Sequence, residues 1–238
     1  MATIDLKLPA GVRWTAWESP VAQARGLAAG VAEQLRGAIA ERGRALLAVS
    51  GGRSPVAFLE ALSGEVLDWG KVTVTLADER WVPEVHPDSN AGLVRRHLLK
   101  GAAAKALFCG LYHSAPSLEE AAAIADRQIA ELALPIDVLV LGMGDDGHTA
   151  SLFPASPGLA EALEPAGARL CLPAWAPSVP HQRLTLSRAL LAASRVQLLA
   201  IQGEAKLATL KAALAAEDEA SMPVSAFLRA PLSIHWCP

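Results

Sequence analysis

The chain has 238 residues, with 21 basic against 24 acidic side chains and a formal net charge of −3. That balance gives no overall attraction to nucleic acid or an anionic membrane, so an anionic ligand would have to be held by a local cluster of basic groups. The length suits one α/β domain spanning 1–238 with a sizeable core, and no linker, charge block, low-complexity run or repeat divides it. The amino terminus, MATIDLKLPAGVRW, lacks the charged start and apolar core of a signal peptide, and no apolar run is long enough to span a bilayer. Cys109, Cys171 and Cys237 are widely spaced and odd in number, with neither a CxxC pair nor a disulfide framework. The six histidines show no metal-binding spacing. These features predict a cytoplasmic protein with reduced, buried thiols and no metal.

In chain order, Ser19-Pro20 reads as an N-cap followed by proline at the first helical position, opening a helix to about Arg42. Arg44 to Val49 reads as a buried strand and Pro55 to Leu62 as the next helix. Lys71 to Ala77 is β-branched and apolar, a second strand. Ser89 to Leu99 and Leu118 to Leu132 read as helices, and Val138 to Leu141 as a strand buried on both faces. Pro154 to Leu186 is rich in proline and is the place for an antiparallel excursion. Arg195 to Ile201 is another strand, followed by a helix from Glu204 to about Ala216 and a closing strand at Ser233 to Trp236. Strands alternating with helices predict a doubly wound, mostly parallel sheet with helices on both faces, Rossmann-like in architecture.

Four of these segments place chemistry at the end of a strand, where open α/β sheets bind small molecules. Ser50-Gly51-Gly52-Arg53-Ser54-Pro55 joins a strand to a helix, and its glycines expose backbone N–H groups at the helix start, an anion site. It lacks the lysine of a nucleotide P-loop, which favours a single phosphate. Asp78-Glu79-Arg80 puts three charges after an apolar strand, costly unless paired or used, and Arg80 offers a fork suited to phosphate. Asn90, just downstream, either hydrogen-bonds ligand hydroxyls or caps the next helix.

The third segment, Gly142-Met143-Gly144-Asp145-Asp146-Gly147-His148, carries the strongest signal. It matches a dinucleotide fingerprint literally, yet its two carboxylates would repel a pyrophosphate, and dinucleotide binding is set aside. Asp146 and His148 instead read as a general base with its carboxylate partner. The fourth is Gly203-Glu204-Ala205-Lys206, where a lysine in the first helical turn opposes the helix dipole. Arg183, in His181-Gln182-Arg183-Leu184-Thr185, is a further candidate cation. Together these residues imply a small phosphorylated ligand and either proton transfer or activation of water. No nucleophile elbow is present.

SGGRSP, ADERWVP with the following HPDSN, LGMGDDGHTASLFP, RLTLS and GEAK occur in order between about Pro20 and Ile234. At these motifs the chain resembles the 6-phosphogluconolactonases, within the wider group that includes glucosamine-6-phosphate isomerases and deaminases. The deaminase branch typically has DEY where this chain has Asp78-Glu79-Arg80, and a different run after DGH. Thr149 to Pro154 here looks like the lactonase branch. The carboxyl end, Trp236-Cys237-Pro238, departs from relatives that continue with an aspartate and a short tail.

The resemblance implies hydrolysis of a phosphorylated sugar lactone, 6-phospho-D-glucono-1,5-lactone, in the oxidative pentose phosphate pathway, without metal or organic cofactor. It implies His148 as general base and Asp146 as its orienting partner. Arg80, Lys206 and Ser50-Gly51-Gly52 would hold the phosphate, with Arg53, Arg183, Asp78 and Asn90 also in the binding set. A monomer is expected, with no nucleic-acid or membrane partner. The rival readings are an amino-sugar-phosphate isomerase/deaminase using Asp78, and a non-catalytic phosphosugar sensor.

Overall fold

The computed structural model describes residues 6–238, so the first five residues of the amino-terminal stretch lie outside it. The chain opens with strand β1 (Arg13–Ala16) and helix α1 (Pro20–Arg42). In α1, Gln23, Ala24, Leu27, Ala28, Val31, Ala32, Leu35 and Ala38 form the buried stripe at helical spacing. Its start is capped by the Ser19 hydroxyl, which accepts from the Ala22 N–H at 3.2 Å. Its end is Gly43 at φ +75°, whose N–H donates to the Ile39 carbonyl.

Strand β2 (Ala45–Val49), helix α2 (Val56–Ser63) and strand β3 (Val72–Leu76) follow, then the short strand β4 (Asp78–Arg80), helix α3 (Asn90–His97) and strand β5 (Leu107–Cys109). Helix α4 (Leu118–Ala130) leads to strand β6 (Val138–Leu141). The proline-rich stretch holds α5 (Leu159–Ala162), β7 (Cys171–Trp175) and β8 (Gln182–Leu186). Helix α6 (Arg188–Ala192), strand β9 (Val196–Gln202), helix α7 (Gly203–Ala215) and strand β10 (Leu232–Cys237) complete the order.

Seven strands form one parallel sheet in the order β1-β10-β9-β6-β2-β3-β5. From β1 the chain steps one way across the sheet, through β2 and β3 to β5. From β6 it steps the other way, through β9 to β10. Right-handed crossovers therefore put α1, α2 and α3 on one face and α4, α6 and α7 on the other. The direction reverses between neighbouring strands β2 and β6, and their carboxyl ends flank the crevice where such sheets bind ligands. Every residue of both strands is buried, the pattern of strands covered on two faces.

A second, antiparallel sheet has the order β4-β8-β7 and packs against α4. This is the excursion expected in the proline-rich stretch, with one addition. Asp78–Arg80, which the sequence placed only as charges after an apolar strand, is itself a strand of that sheet, because its backbone pairs with Arg183–Thr185 of β8. Edge strands β1 and β5, only 4 and 3 residues long, are too short to show a period in the sequence. No described helix is long and apolar enough to cross a membrane. The three cysteines are unpaired and buried.

Candidate active site

The loops after β2 and β6 and the face of the small sheet enclose an open pocket of about 260 Å³. Ser50, Gly51 and Gly52 form one wall, Asp78, Arg80, Asn90 and Arg183 a second, and Gly142 to Gly144 with His148 a third. Of the residues singled out in the sequence, these come together. Asp146 reaches the pocket through His148. Arg53 is exposed and outside the wall, and Lys206 also lies outside it, its Nζ 2.7 Å from the Asp145 carboxylate.

The β6 loop is folded around its histidine. The Gly144 N–H donates to the His148 carbonyl at 2.8 Å, and the Thr149 hydroxyl donates to the Gly142 carbonyl at 2.8 Å. Gly147 turns the chain at φ +78°, a conformation that favours glycine. The Asp146 Oδ1 accepts from the His148 backbone N–H at 3.1 Å and lies 2.5 Å from the imidazole Nδ1. With Nδ1 committed to the carboxylate, Nε2 is the nitrogen left for a substrate. The imidazole also rests against Phe153, with ring centroids 4.4 Å apart. Burial disfavours ionisation of Asp146, but the backbone N–H, the charge and the ring of His148 outweigh it and hold the carboxyl below its ordinary range.

The small sheet supplies the opposite wall. Directly paired residues of an antiparallel ladder share a face, so Asp78 and Arg80 project with Thr185 and Arg183 toward the pocket, and Glu79 projects away with Leu184. Asp78 is buried, and its Oδ2 accepts the Ser151 hydroxyl at 2.6 Å. Arg80 donates to the Asp88 carbonyl. Arg183 is 5 % exposed. Burial first, then the opposing Arg80, draws its guanidinium below the usual value against the pull of Asp78 and Glu79. Two like charges placed opposite each other are unfavourable without an anion between or beside them.

Three buried polar atoms of the wall residues have no protein partner: Ser50 Oγ, Asn90 Oδ1 and Arg183 Nε. Buried polar groups are normally paired, so these three atoms leave the pocket wall with hydrogen-bonding capacity for a polar ligand or water. Gly51 is needed for contact between two of these walls, since a Cβ there would lie 1.9 Å from Asn90 Oδ1. No three His, Cys, Asp or Glu side chains converge to hold a metal among the described residues.

Sequence reasoning missed Thr149, Ala150, Phe153, Ser178 and Ser151. All but Ser151 line the pocket, and Ser151 orients Asp78. Ala150 adopts φ +48°, strained for a residue with a side chain, in the wall itself. Its neighbours belong to the motif already noted, but Ser178 arrives from the distant β7–β8 hairpin and carries no local signal.

The sequence profile of the family described as glucosamine-6-phosphate isomerases/6-phosphogluconolactonase matches residues 18–236. A protein named 6-phosphogluconolactonase from Pseudomonas aeruginosa is 74% identical over 238 residues, covering 100% of both chains. One of the same name from Pseudomonas putida is 60% identical, covering 100% of this chain and 98% of its own. The crystal structure of a 6-phosphogluconolactonase from Shewanella baltica superposes with a TM-score of 0.93 at 38% identity, covering 97% of this chain and 100% of that one. The chain belongs to the glucosamine-6-phosphate isomerase/6-phosphogluconolactonase family.

Proposed function

We propose that this pocket hydrolyses 6-phospho-D-glucono-1,5-lactone to 6-phospho-D-gluconate, in the oxidative pentose phosphate pathway of the cytoplasm, with His148 as general base. The observation that carries the proposal is the Asp146–His148 pair, 2.5 Å apart, at the mouth of a pocket lined by two facing arginines. The names of the relatives support the substrate.

His148 Nε2 takes a proton from water as the water oxygen attacks the lactone carbonyl carbon. The oxyanion that forms is received by backbone N–H groups of the loops or by a neighbouring guanidinium. The imidazolium, stabilised by Asp146, then returns the proton to the ring oxygen as the carbon–oxygen bond breaks. One water is consumed and one carboxylic acid is formed, which ionises at neutral pH. No metal or organic cofactor enters this scheme.

The 6-phosphate is held by the backbone of Ser50-Gly51-Gly52 and by Arg80, with Lys206, Arg53 and Arg183 as the surrounding cations. Lys206 reaches it by leaving Asp145. Asp78 and Asn90 face the sugar hydroxyls. Every residue in the scheme comes from one chain, so a monomer suffices, and neither nucleic acid nor membrane has a role.

The test is the decay of freshly generated lactone with and without protein, against its spontaneous opening. Acceleration in proportion to protein, lost in His148→Ala, is the expected result. A folded protein that leaves the spontaneous rate unchanged would overturn the proposal. Ammonia release from glucosamine 6-phosphate would then favour the deaminase reading, and binding without turnover the sensor.

A further inference from the structure

We infer that Glu79 is a positioning residue for substrate binding, although its side chain points away from the pocket. Its carboxylate is fully buried, and among the described residues no cation lies within ion-pair distance of it. Four donors fill its two oxygens. Oε1 accepts the backbone N–H groups of Arg80 and Asn90, each at 2.7 Å. Oε2 accepts the Ala91 N–H at 2.7 Å and the Ser89 hydroxyl at 3.1 Å.

Capping α3 does not by itself explain a buried charge here. Ser89 already serves as the N-cap, its hydroxyl accepting the Gly92 N–H at 3.1 Å. What Glu79 adds is a tie between β4 and the start of α3, two elements that deliver side chains to the same pocket. On one side of the tie are Asp78 and Arg80. On the other is Asn90, whose Nδ2 donates back to the Asp78 carbonyl at 2.9 Å and whose Oδ1 is unpartnered in the pocket wall.

The tie also reaches the phosphate cradle. Asn90 packs so closely on Gly51 that a single added Cβ would overlap it. A shift of a few tenths of an ångström at the start of α3 is therefore felt at Ser50-Gly51-Gly52. Glu79 thus fixes three ligand-facing side chains relative to the cradle, through backbone bonds and without touching the ligand.

A carboxylate is required because each oxygen must accept from two donors. In Glu79→Gln, whichever way the amide turns, an NH₂ group faces two donors and both contacts are lost. The kinetic readout rests on the lactonase reading above. Glu79→Gln is expected to raise KM about tenfold with kcat within about twofold, because ground-state positioning is lost while His148 and Asp146 are untouched. Calorimetry with 6-phosphogluconate should show a matching loss of affinity, independent of turnover.

If folded Glu79→Gln binds and turns over with wild-type KM while only its melting temperature falls, the role is structural and the inference is overturned. A wild-type protein that does not accelerate lactone opening would instead indict the functional reading, and the calorimetric arm would still test Glu79. Should Glu79→Gln fail to fold, Ser89→Ala removes one donor to the same carboxylate. It is expected to raise KM about two- to threefold, with recovery in Ser89→Thr. No rise in KM in Ser89→Ala would overturn the inference.

Discussion

Gly144 lies so close to His148 that a Cβ on it would stand 2.0 Å from the imidazole Nδ1, and 2.6 Å from the Asp146 carboxylate. The Asp146–His148 pair occupies the space a side chain at 144 would need. Gly144→Ala should therefore separate His148 from Asp146 and lower kcat about 10²-fold or more, approaching the loss from deleting a general base. Because the clash falls on a surface loop, the melting temperature should change by only a few degrees. Near-normal turnover would show that the observed pairing is not needed for catalysis.

Asp146→Asn tests the partner more gently. The amide preserves shape but cannot stabilise an imidazolium, so kcat should fall at least about tenfold with little change in KM. The folded state holds Asp146 ionised below its ordinary range, so its contribution to stability is present above the unfolded carboxyl value and lost as pH falls through the lower folded value. Melting curves of wild type and Asp146→Asn should converge on acidification below about pH 4. A gap that persists there would assign the difference to packing.

Arg80 and Arg183 are directly paired across the β4–β8 ladder. Removing one should relieve repulsion and weaken anion binding at the same time. Arg183→Met is expected to raise KM about ten- to a hundredfold without lowering the melting temperature, and to flatten the dependence of KM on salt. Destabilisation with unchanged KM would make Arg183 a structural residue.

The Lys206–Asp145 ion pair competes with the phosphate role proposed for Lys206. Asp145→Asn frees the ammonium, and KM should fall about two- to threefold at low salt, within the range of exposed pairs. The gain should vanish at high ionic strength. An unchanged KM at low salt would remove Lys206 from the phosphate set, and Lys206→Ala would then also leave KM unaltered.

Glu79 gives a pH signature of opposite sign to Asp146. Burial pushes its carboxyl up to about 7, despite the backbone N–H groups of Ala91, Asn90 and Arg80. Below about 7 the folded carboxyl therefore takes up a proton, at the expense of one of its four accepted bonds, that the unfolded chain releases near 4.5. Stability should decline as pH rises from about 4.5 to 7, then level off. The four-donor arrangement of Glu79 belongs to the ionised form above about 7. Wild-type chemical denaturation across that window should show the decline, and Glu79→Gln should lack it. Parallel curves for the two proteins would refute the assignment.

Much of the fold was legible in the residues. β2 and β6 are unbroken apolar runs closed by Ser50-Gly51 and by Gly142, and α1 carries its own cap, stripe and stop, so local pattern alone fixed their type and approximate bounds. The Asp146–His148 pair was legible for a related reason: two residues apart on a glycine-rich turn, they could hardly avoid each other. The chemistry within a segment is set by local backbone geometry.

What needed the tertiary structure were relations between segments far apart in sequence. Sequence order could not say that β4 pairs with β8, because that ladder joins residues about a hundred positions apart and is set by packing, not propensity. The ladder turns Asp78 and Arg80 inward and Glu79 outward and brings Arg183 opposite Arg80. The chain thus carried its longer strands and helices and its histidine–aspartate pair as local information. Which charges share one wall of the pocket was decided only when distant backbone segments met.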